Sequence, residues 1–218
     1  MIYIAPSILA ADLTNLADDC NRVVAAGADY LHFDVMDGHF VDNISFGIPV
    51  LNLLTRVVKA SYDVHLMISN PHRYIDEFAA AGASIISFHI ESLSETLETI
   101  KMIKAHGLKA GLSIKPATPP EVLLEFLDIL DLVLIMTVEP GFGGQGFMPE
   151  MVSKVSYISQ EAAKRRLNLL IEVDGGINTE TAKTVIENGA NILVAGTSVF
   201  QSDNYSFAID SLRNAGRK

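Results

Sequence analysis

The sequence contains little cysteine and no long apolar segment. Its single cysteine, Cys20, cannot form a disulfide within the chain, which is typical of proteins from a reducing compartment. No apolar run reaches the ~18 residues that a membrane-spanning helix requires, and no basic segment leads into an apolar one at the N-terminus. We therefore predict a soluble cytoplasmic protein that has no membrane partner.

Positive charge is also scarce. The 218 residues include 16 Lys and Arg against 26 Asp and Glu, which gives a formal net charge of −10. A surface that binds nucleic acid or an anionic membrane normally carries the opposite sign. The composition argues against a nucleic-acid partner, and it requires local backbone donors to bind any anionic small substrate.

The chain has no linker, no low-complexity stretch and no break in composition, so we expect one domain over residues 1–218. The last residues, 213–218, are expected to form a frayed tail.

Strand-like and helix-like segments alternate along the chain. Glycines that end a helix-like segment just before a strand recur at multiples of about 27 residues, as expected for βα units. We predict strands at 2–6, 29–34, 61–67, 84–89, 108–114, 131–137, 168–174 and 191–195, and helices at 12–26, 71–81, 93–106, 119–127, 149–166 and 179–188. The segment after Gly47 is shorter and less clearly helical. Eight such units favour an α/β fold that closes as a single (β/α)8 TIM barrel over an open doubly wound sheet.

The segment 31–38, Leu-His-Phe-Asp-Val-Met-Asp-Gly, carries the most unusual chemistry. If it is a strand that leads into a loop, His32, Asp34 and Met36 project from one face. An imidazole, a carboxylate and a thioether then converge, which is a metal site with its own base.

Two later strands carry matching residues. His65 and Met67 share one face of the third strand, and Asp174 ends the seventh. Active sites of (β/α)8 barrels form at the C-terminal ends of the strands. Two His and two Asp at that end are the ligands that a borderline cation such as Zn²⁺ or Fe²⁺ prefers.

Glycine-containing segments follow the last three strands, at 140–146, 174–178 and 195–198. Glycines let backbone N–H groups approach an anion, and a short helix after the eighth strand would direct its positive end at it. Barrels often bind phosphate after the seventh and eighth strands. We therefore predict a phosphate site at these loops.

The two predicted sites together indicate a reaction. A sugar phosphate would lie across the barrel mouth with its middle carbons over a metal that stabilises an enediolate. Asp34 and Asp174 would flank it, one removing a proton and the other returning it on the opposite face. Met36, Met67 and Met136 would line this region with polarizable, water-poor side chains, although each is equally compatible with core packing.

These segments, together with Ala-Pro-Ser-Ile-Leu-Ala-Ala-Asp at 5–12, resemble the ribulose-phosphate 3-epimerase family over nearly the whole chain. The resemblance implies a barrel of the ribulose-phosphate-binding type that reversibly epimerises carbon 3 of D-ribulose 5-phosphate, giving D-xylulose 5-phosphate in the pentose phosphate pathway. It implies one divalent metal per subunit, Zn²⁺ or else Fe²⁺, Co²⁺ or Mn²⁺, and a homo-oligomer. The implied metal ligands are His32, Asp34, His65 and Asp174, with Asp34 as proton acceptor and Asp174 as proton donor in one direction. The implied substrate-binding residues are Ser7, His65, Gly141, Phe142, Gly143, Gly144, Gly175, Gly176, Gly196 and Thr197.

Several positions depart from the family pattern. Asp42 replaces a usual Pro, Lys115 and Glu139 each replace an Asn, and Thr197-Ser198 replaces Ser-Ala. Residues 136–140 resemble the allulose-6-phosphate 3-epimerase branch, so a hexulose phosphate stays open as the alternative substrate. A barrel lyase would need a lysine interleaved with Asp on the second or third strand, where this sequence has methionine. A non-catalytic sugar-phosphate-binding barrel is the remaining alternative.

Overall fold

The computed structural model describes residues 1–216. Eight parallel strands form one sheet in the order β1-β8-β7-β6-β5-β4-β3-β2. The strands are Tyr3–Pro6 (β1), Leu31–Met36 (β2), Tyr62–Met67 (β3), Ile85–His89 (β4), Lys109–Ile114 (β5), Leu132–Met136 (β6), Leu170–Asp174 (β7) and Ile192–Ala195 (β8). All eight predicted strands are present, and β2 extends two residues further than predicted, to Met36.

β1 and β2 close the sheet into a barrel. Ser7 and His32 form a parallel bridge just beyond β1. The backbone N–H groups of Asp29 and Tyr30 donate to the carbonyl of Ile4, at 2.9 and 3.3 Å. The predicted (β/α)8 TIM barrel is thus confirmed.

Helices cover the outside of the barrel. They are Leu16–Ala25 (α1), Ile48–Val57 (α2), Ile75–Ala81 (α3), Thr96–Ala105 (α4), Val152–Arg165 (α5), Thr179–Glu187 (α6), Thr197–Phe200 (α7) and Tyr205–Asn214 (α8). None of the helices within residues 1–216 has the length and apolar character that crossing a bilayer requires.

One segment that was not clearly helical from the sequence is a regular helix, and one helix prediction was wrong. The segment after Gly47 is the regular helix α2, whose exposed Leu53 and Val57 blurred the amphipathic pattern. The predicted helix 119–127 is replaced by two 3₁₀ turns, Pro120–Leu123 and Leu127–Ile129. Consecutive tight turns bury apolar residues four positions apart just as a helix would.

The prediction of a frayed tail over residues 213–218 was also wrong for its first residues. Arg213 lies in α8, and its guanidinium donates to Oδ2 of Asp29 at 2.7 Å and to the carbonyl of Gly27 at 2.6 Å. These contacts tie the last helix to the segment that leads into β2. Residues 217–218 lie outside the described residues.

The barrel interior is divided into an apolar and a polar side. Interior residues of β6 and β8 are apolar, including Leu134 and Val194. β2, β3 and β7 contribute buried polar residues to the interior, namely His32, Asp34, Asp63, His65 and Glu172. Because buried polar groups need partners, the polar side is where a site is expected.

Candidate active site

The four predicted metal ligands lie together on β2, β3 and β7, where Asp174 is the last residue of β7. Each of His32, Asp34, His65 and Asp174 offers one ligand atom, and these atoms all lie within 4.8 Å of one another. Both imidazoles are fully buried, whereas Asp174 is partly exposed. The barrel register brings them together, since Asp34 of β2 pairs with His65 of β3.

Asp63 fixes the proton on one nitrogen of His32. Nδ1 of His32 lies 2.6 Å from Oδ2 of Asp63, so this nitrogen donates to the carboxylate. Nε2 has no hydrogen-bond partner among the described residues, although Oδ1 of Asp34 lies 3.2 Å away. Burial lowers the pKa of His32, but the Asp34 and Asp63 carboxylates outweigh it and raise that pKa well above the usual value. The surroundings of Nε2 therefore favour a positive charge, and a divalent cation supplies one.

His65 faces the cluster through Nδ1, whereas His32 faces it through Nε2. Its Nδ1 lies 3.2 Å from Oδ1 of Asp34 and 3.9 Å from Oδ2 of Asp174. Its Nε2 lies 2.9 Å from Nε2 of His89, at the end of β4. Two imidazole nitrogens and two carboxylates around one point are a donor set that fits Zn²⁺ or Fe²⁺.

His89 and Glu91 extend this arrangement away from the cluster. Nδ1 of His89 lies 3.2 Å from Oε2 of Glu91. Burial lowers the pKa of His89 to about 4, so the ring is neutral at physiological pH. Burial raises the pKa of Glu91, but hydrogen bonds from His89, Thr118 and the Lys115 backbone outweigh it and lower that pKa to about 2.

The two aspartates of the cluster differ in acidity. Burial raises the pKa of Asp34, but His32 and His65 outweigh it and hold that pKa well below its usual range. For Asp174, burial and the nearby charge of Asp34 raise the pKa to about 6. One carboxylate is thus ionised while the other can carry a proton near neutral pH. Pairs with divided pKa values are typical of acid and base partners in catalysis.

Sequence reasoning missed two more buried carboxylates, Asp63 and Glu172. Oε1 of Glu172 lies 3.6 Å from Nδ1 of His32, and neither Glu172 oxygen has a hydrogen-bond partner within residues 1–216. Burial and the nearby charge of Asp63 raise the pKa of Glu172 well above its usual value. A spacing of two residues, from Asp63 to His65 and from Glu172 to Asp174, was the sequence signal that could have identified them.

A cavity of about 640 Å³ opens above the cluster. His32 and His65 are fully buried and do not line it. The predicted site residues that do line it are Ser7, Asp34, Met36, Met67, Met136, Gly141, Phe142, Gly143, Gly144, Asp174, Gly175, Gly176, Gly196 and Thr197. No Lys or Arg of the described chain lines it.

The glycine loops pack tightly against one another on one side of this cavity. Gly176 has φ +66°, and a Cβ placed there would lie 2.5 Å from the backbone nitrogen of Phe147. Ser198 donates through Oγ to the carbonyl of Ile177 at 2.7 Å. The loops after β6, β7 and β8 therefore form one continuous wall.

The departures from the family pattern at 42, 115 and 139 do not line the cavity. Asp42 and Glu139 are exposed, and neither they nor Lys115 line it. The Lys115 ammonium lies 3.8 Å from the centre of the Phe40 ring. Only the departure at Thr197-Ser198 reaches the cavity wall.

Comparison with known proteins gives a consistent result. The model of the ribulose-phosphate 3 epimerase family matches residues 3–200. A ribulose-phosphate 3-epimerase of Bacillus subtilis (strain 168) is 48% identical over 216 residues, which covers 99% of this chain and 100% of that protein. Its counterpart in Eremothecium gossypii is 45% identical, over 97% of this chain and 93% of that protein.

Solved structures share the fold at low identity. 3-Hexulose-6-phosphate synthase from Salmonella typhimurium matches with a TM-score of 0.71 at 14% identity, over 99% of this chain and 98% of that chain. KGPDC from Streptococcus mutans matches with a TM-score of 0.72 at 12% identity, over 100% and 98%. The family match and the close relatives cover nearly the whole chain, and the chain therefore belongs to the ribulose-phosphate 3-epimerase family and is an isomerase of the epimerase type.

Proposed function

We propose that this enzyme inverts carbon 3 of D-ribulose 5-phosphate to give D-xylulose 5-phosphate, reversibly, by two-base proton transfer with one divalent metal ion. The observation that carries the proposal is the pairing of Asp34 and Asp174 at the floor of the cavity. The first has a pKa well below its usual range and the second a pKa of about 6. A two-base inversion needs one carboxylate that accepts a proton and another that donates one.

The metal would be held by His32, Asp34, His65 and Asp174. Both histidines can direct an unprotonated nitrogen at the cluster, because hydrogen bonds to Asp63 and His89 occupy their other nitrogens. A divalent ion bound there would stabilise the negative charge that develops on the substrate oxygens when the carbon-bound proton leaves. We propose Zn²⁺ as this ion, while Fe²⁺, Co²⁺ and Mn²⁺ suit the same donors.

The carboxylates would carry the proton. Asp34 would accept the proton from carbon 3 in one direction, and Ser7, which donates to its Oδ2 at 2.6 Å, holds it in place. Asp174 would return a proton from the opposite face of the substrate. In the reverse direction the two residues exchange roles.

Methionine side chains would keep water from the reacting carbon. Met36, Met67 and Met136 line the cavity, and each is at most 5% exposed. Thioethers are polarizable and are only weak hydrogen-bond acceptors, so they would not stabilise one intermediate too strongly. This supports the predicted role beyond core packing.

The phosphate would bind at the wall formed by the glycine loops. No Lys or Arg of the described residues lines the cavity, so backbone N–H groups must supply the donors. We assign phosphate binding to the part of that wall that contains Gly144, Gly176, Gly196 and Thr197. Because Lys115 and Glu139 do not line the cavity, they give no reason to prefer a hexulose phosphate.

The proposal also includes the cellular setting. We propose one domain over residues 1–218, a homo-oligomer, and action in the pentose phosphate pathway of the cytoplasm. A single, fully buried cysteine suits a reducing compartment. Light scattering coupled to gel filtration would measure the oligomeric state.

The test is proton exchange at carbon 3. Metal-loaded enzyme is incubated in D₂O with D-ribulose 5-phosphate or with allulose 6-phosphate, and each reaction is followed by NMR. We expect deuterium at carbon 3 together with the epimer, and faster turnover of the pentulose. If neither substrate exchanges its carbon 3 proton, the proposed mechanism is wrong. If the hexulose phosphate exchanges faster than the pentulose phosphate, the substrate is reassigned.

A further inference from the structure

His65 does not contact a carboxylate through the nitrogen that faces away from the cluster. Its Nε2 lies 2.9 Å from Nε2 of a second imidazole, His89. Nδ1 of His89 in turn lies 3.2 Å from Oε2 of Glu91. Both imidazoles are fully buried, so solvent does not replace these contacts.

We propose that His89 and Glu91 are positioning residues that fix the proton of His65 on Nε2 and thereby present the lone pair of Nδ1 to the metal. The inference rests on the proposed metal site. Neither residue touches the cavity or the reacting atoms, so both act only through His65.

The order of donors and acceptors follows from Glu91. Its Oε1 accepts from the backbone N–H of Lys115 at 2.8 Å and from Oγ1 of Thr118. An ionised carboxylate only accepts, so Nδ1 of His89 must carry the hydrogen that it donates to Oε2. Nε2 of His89 then lies 2.9 Å from Nε2 of His65, with one hydrogen between the two rings. Because Nδ1 of His65 faces the carboxylates of Asp34 and Asp174, we place that hydrogen on Nε2 of His65.

Glu91 is held from outside the site. The loop after β5 supplies its donors, and Lys154 of α5 fixes this loop by donating to the carbonyls of Pro116 and Thr118 at 2.6 and 2.5 Å. Phe40 packs on the His89 ring, with ring centres 4.9 Å apart. The orientation of His65 is thus set by a chain of contacts that begins on the outer layer of the barrel.

The two histidines of the cluster are oriented by different means. His32 contacts the Asp63 carboxylate directly at 2.6 Å, whereas His65 reaches its carboxylate only through His89. A simple packing role for His89 would not require its two nitrogens to lie in hydrogen-bond contact with two different groups. Replacing a group that orients a metal ligand in this way typically weakens metal binding about 10- to 100-fold.

The experiment compares two substitutions of His89 in the full-length protein. His89→Gln retains an oxygen near the position of Nε2 that can accept from His65, whereas His89→Met fills similar space without a comparable acceptor. Co²⁺ is titrated into the metal-depleted proteins and followed by its visible absorption. Thermal unfolding and the kcat of the Co²⁺-saturated enzymes are measured in parallel.

We expect His89→Met to weaken Co²⁺ binding about 10- to 100-fold and His89→Gln to restore most of that loss. Equal affinities in all three proteins, or equal losses in both variants, would overturn the inference. Wild-type protein that exchanges substrate protons without binding Co²⁺ would instead overturn the proposed metal site.

A second measurement reads the proton positions directly. In zinc-loaded wild-type protein with ¹⁵N-labelled histidine, we expect the hydrogen of His65 on Nε2 and that of His89 on Nδ1. A hydrogen on Nε2 of His89 would contradict the proposed order, whatever the metal affinity of the variants.

Discussion

Oγ of Ser7 donates a 2.6 Å hydrogen bond to Oδ2 of Asp34, and this contact crosses the seam at which β1 and β2 close the barrel. Ser7 also forms the backbone bridge with His32 at the same seam. The other oxygen of Asp34 lies 3.2 Å from Nδ1 of His65. Barrel closure and the geometry of the proposed proton acceptor therefore depend on the same residues.

Ser7→Ala should weaken both the closure of the barrel and the positioning of Asp34. The variant leaves one oxygen of a buried carboxylate without its donor, which costs about 1 to 3 kcal/mol, and more for a charged group. We expect a lower kcat and a lower free energy of unfolding, measured by urea denaturation. Ser206→Ala, at an exposed position of α8, is the control and should match wild type. A Ser7→Ala enzyme with unchanged kcat would show that the contact does not position Asp34.

Asp174→Asn should lose nearly all turnover while the protein still binds a phosphate ester. The amide keeps the size of the side chain but cannot exchange a proton as an acid or base. Loss of such a group typically lowers kcat by about 10²- to 10⁴-fold. Steady-state kinetics and calorimetric titration with a non-reacting phosphate ester separate the two effects. The exposed Asp42→Asn is the control, and near-normal epimerisation by Asp174→Asn would remove Asp174 from the mechanism.

Gly176→Ala should disrupt the wall formed by the glycine loops. Its Cβ would lie 2.5 Å from a backbone nitrogen, and φ is +66°, so the loops must move apart. We expect a raised KM for the sugar phosphate and a lower melting temperature. At Gly146 a Cβ would meet no described atom within 4 Å, so Gly146→Ala is the matched control for stability. Equal melting temperatures for the two variants would contradict the close approach.

Glu91→Gln should change how stability depends on pH. The pKa of Glu91 is lowered from 4.5 to about 2 in the folded protein, so its ionised form stabilises the fold above pH 4.5. This contribution is lost as the pH falls through about 2. We expect the variant to be less stable than wild type at pH 6, by about 1 to 3 kcal/mol, since hydrogen bonds to a charged group are lost.

The difference between Glu91→Gln and wild type should narrow as the solution is made more acidic. Urea denaturation at several pH values measures it. Glu98→Gln, in the exposed pair with Lys101, should remain close to wild type throughout. A constant difference at all pH values would mean that the Glu91 carboxylate is not the source of the effect.

Period-two patterns in short strands accounted for most of what could be predicted. His32 and Asp34, and likewise His65 and Met67, had to share a face once their segments were strands. Helix prediction was weaker, because Leu53 and Val57 of α2 are apolar yet exposed, and no local rule identifies an unburied face. In residues 120–129 the apolar residues have the spacing of a helix, but the chain forms two short 3₁₀ turns.

The amino-acid sequence by itself determined the βα alternation, the strand ends at which the chemistry lies and the glycine loops, because these depend on local backbone preference and on period. Only the tertiary structure decided how the buried groups interact. It placed His89 beside His65 and Asp63 beside His32, and it removed Lys115 from the cavity. Proton positions and the divided pKa values of Asp34 and Asp174 arise from burial and from charges on other strands. Distances between residues far apart in the chain are set by barrel closure, which no local segment encodes alone.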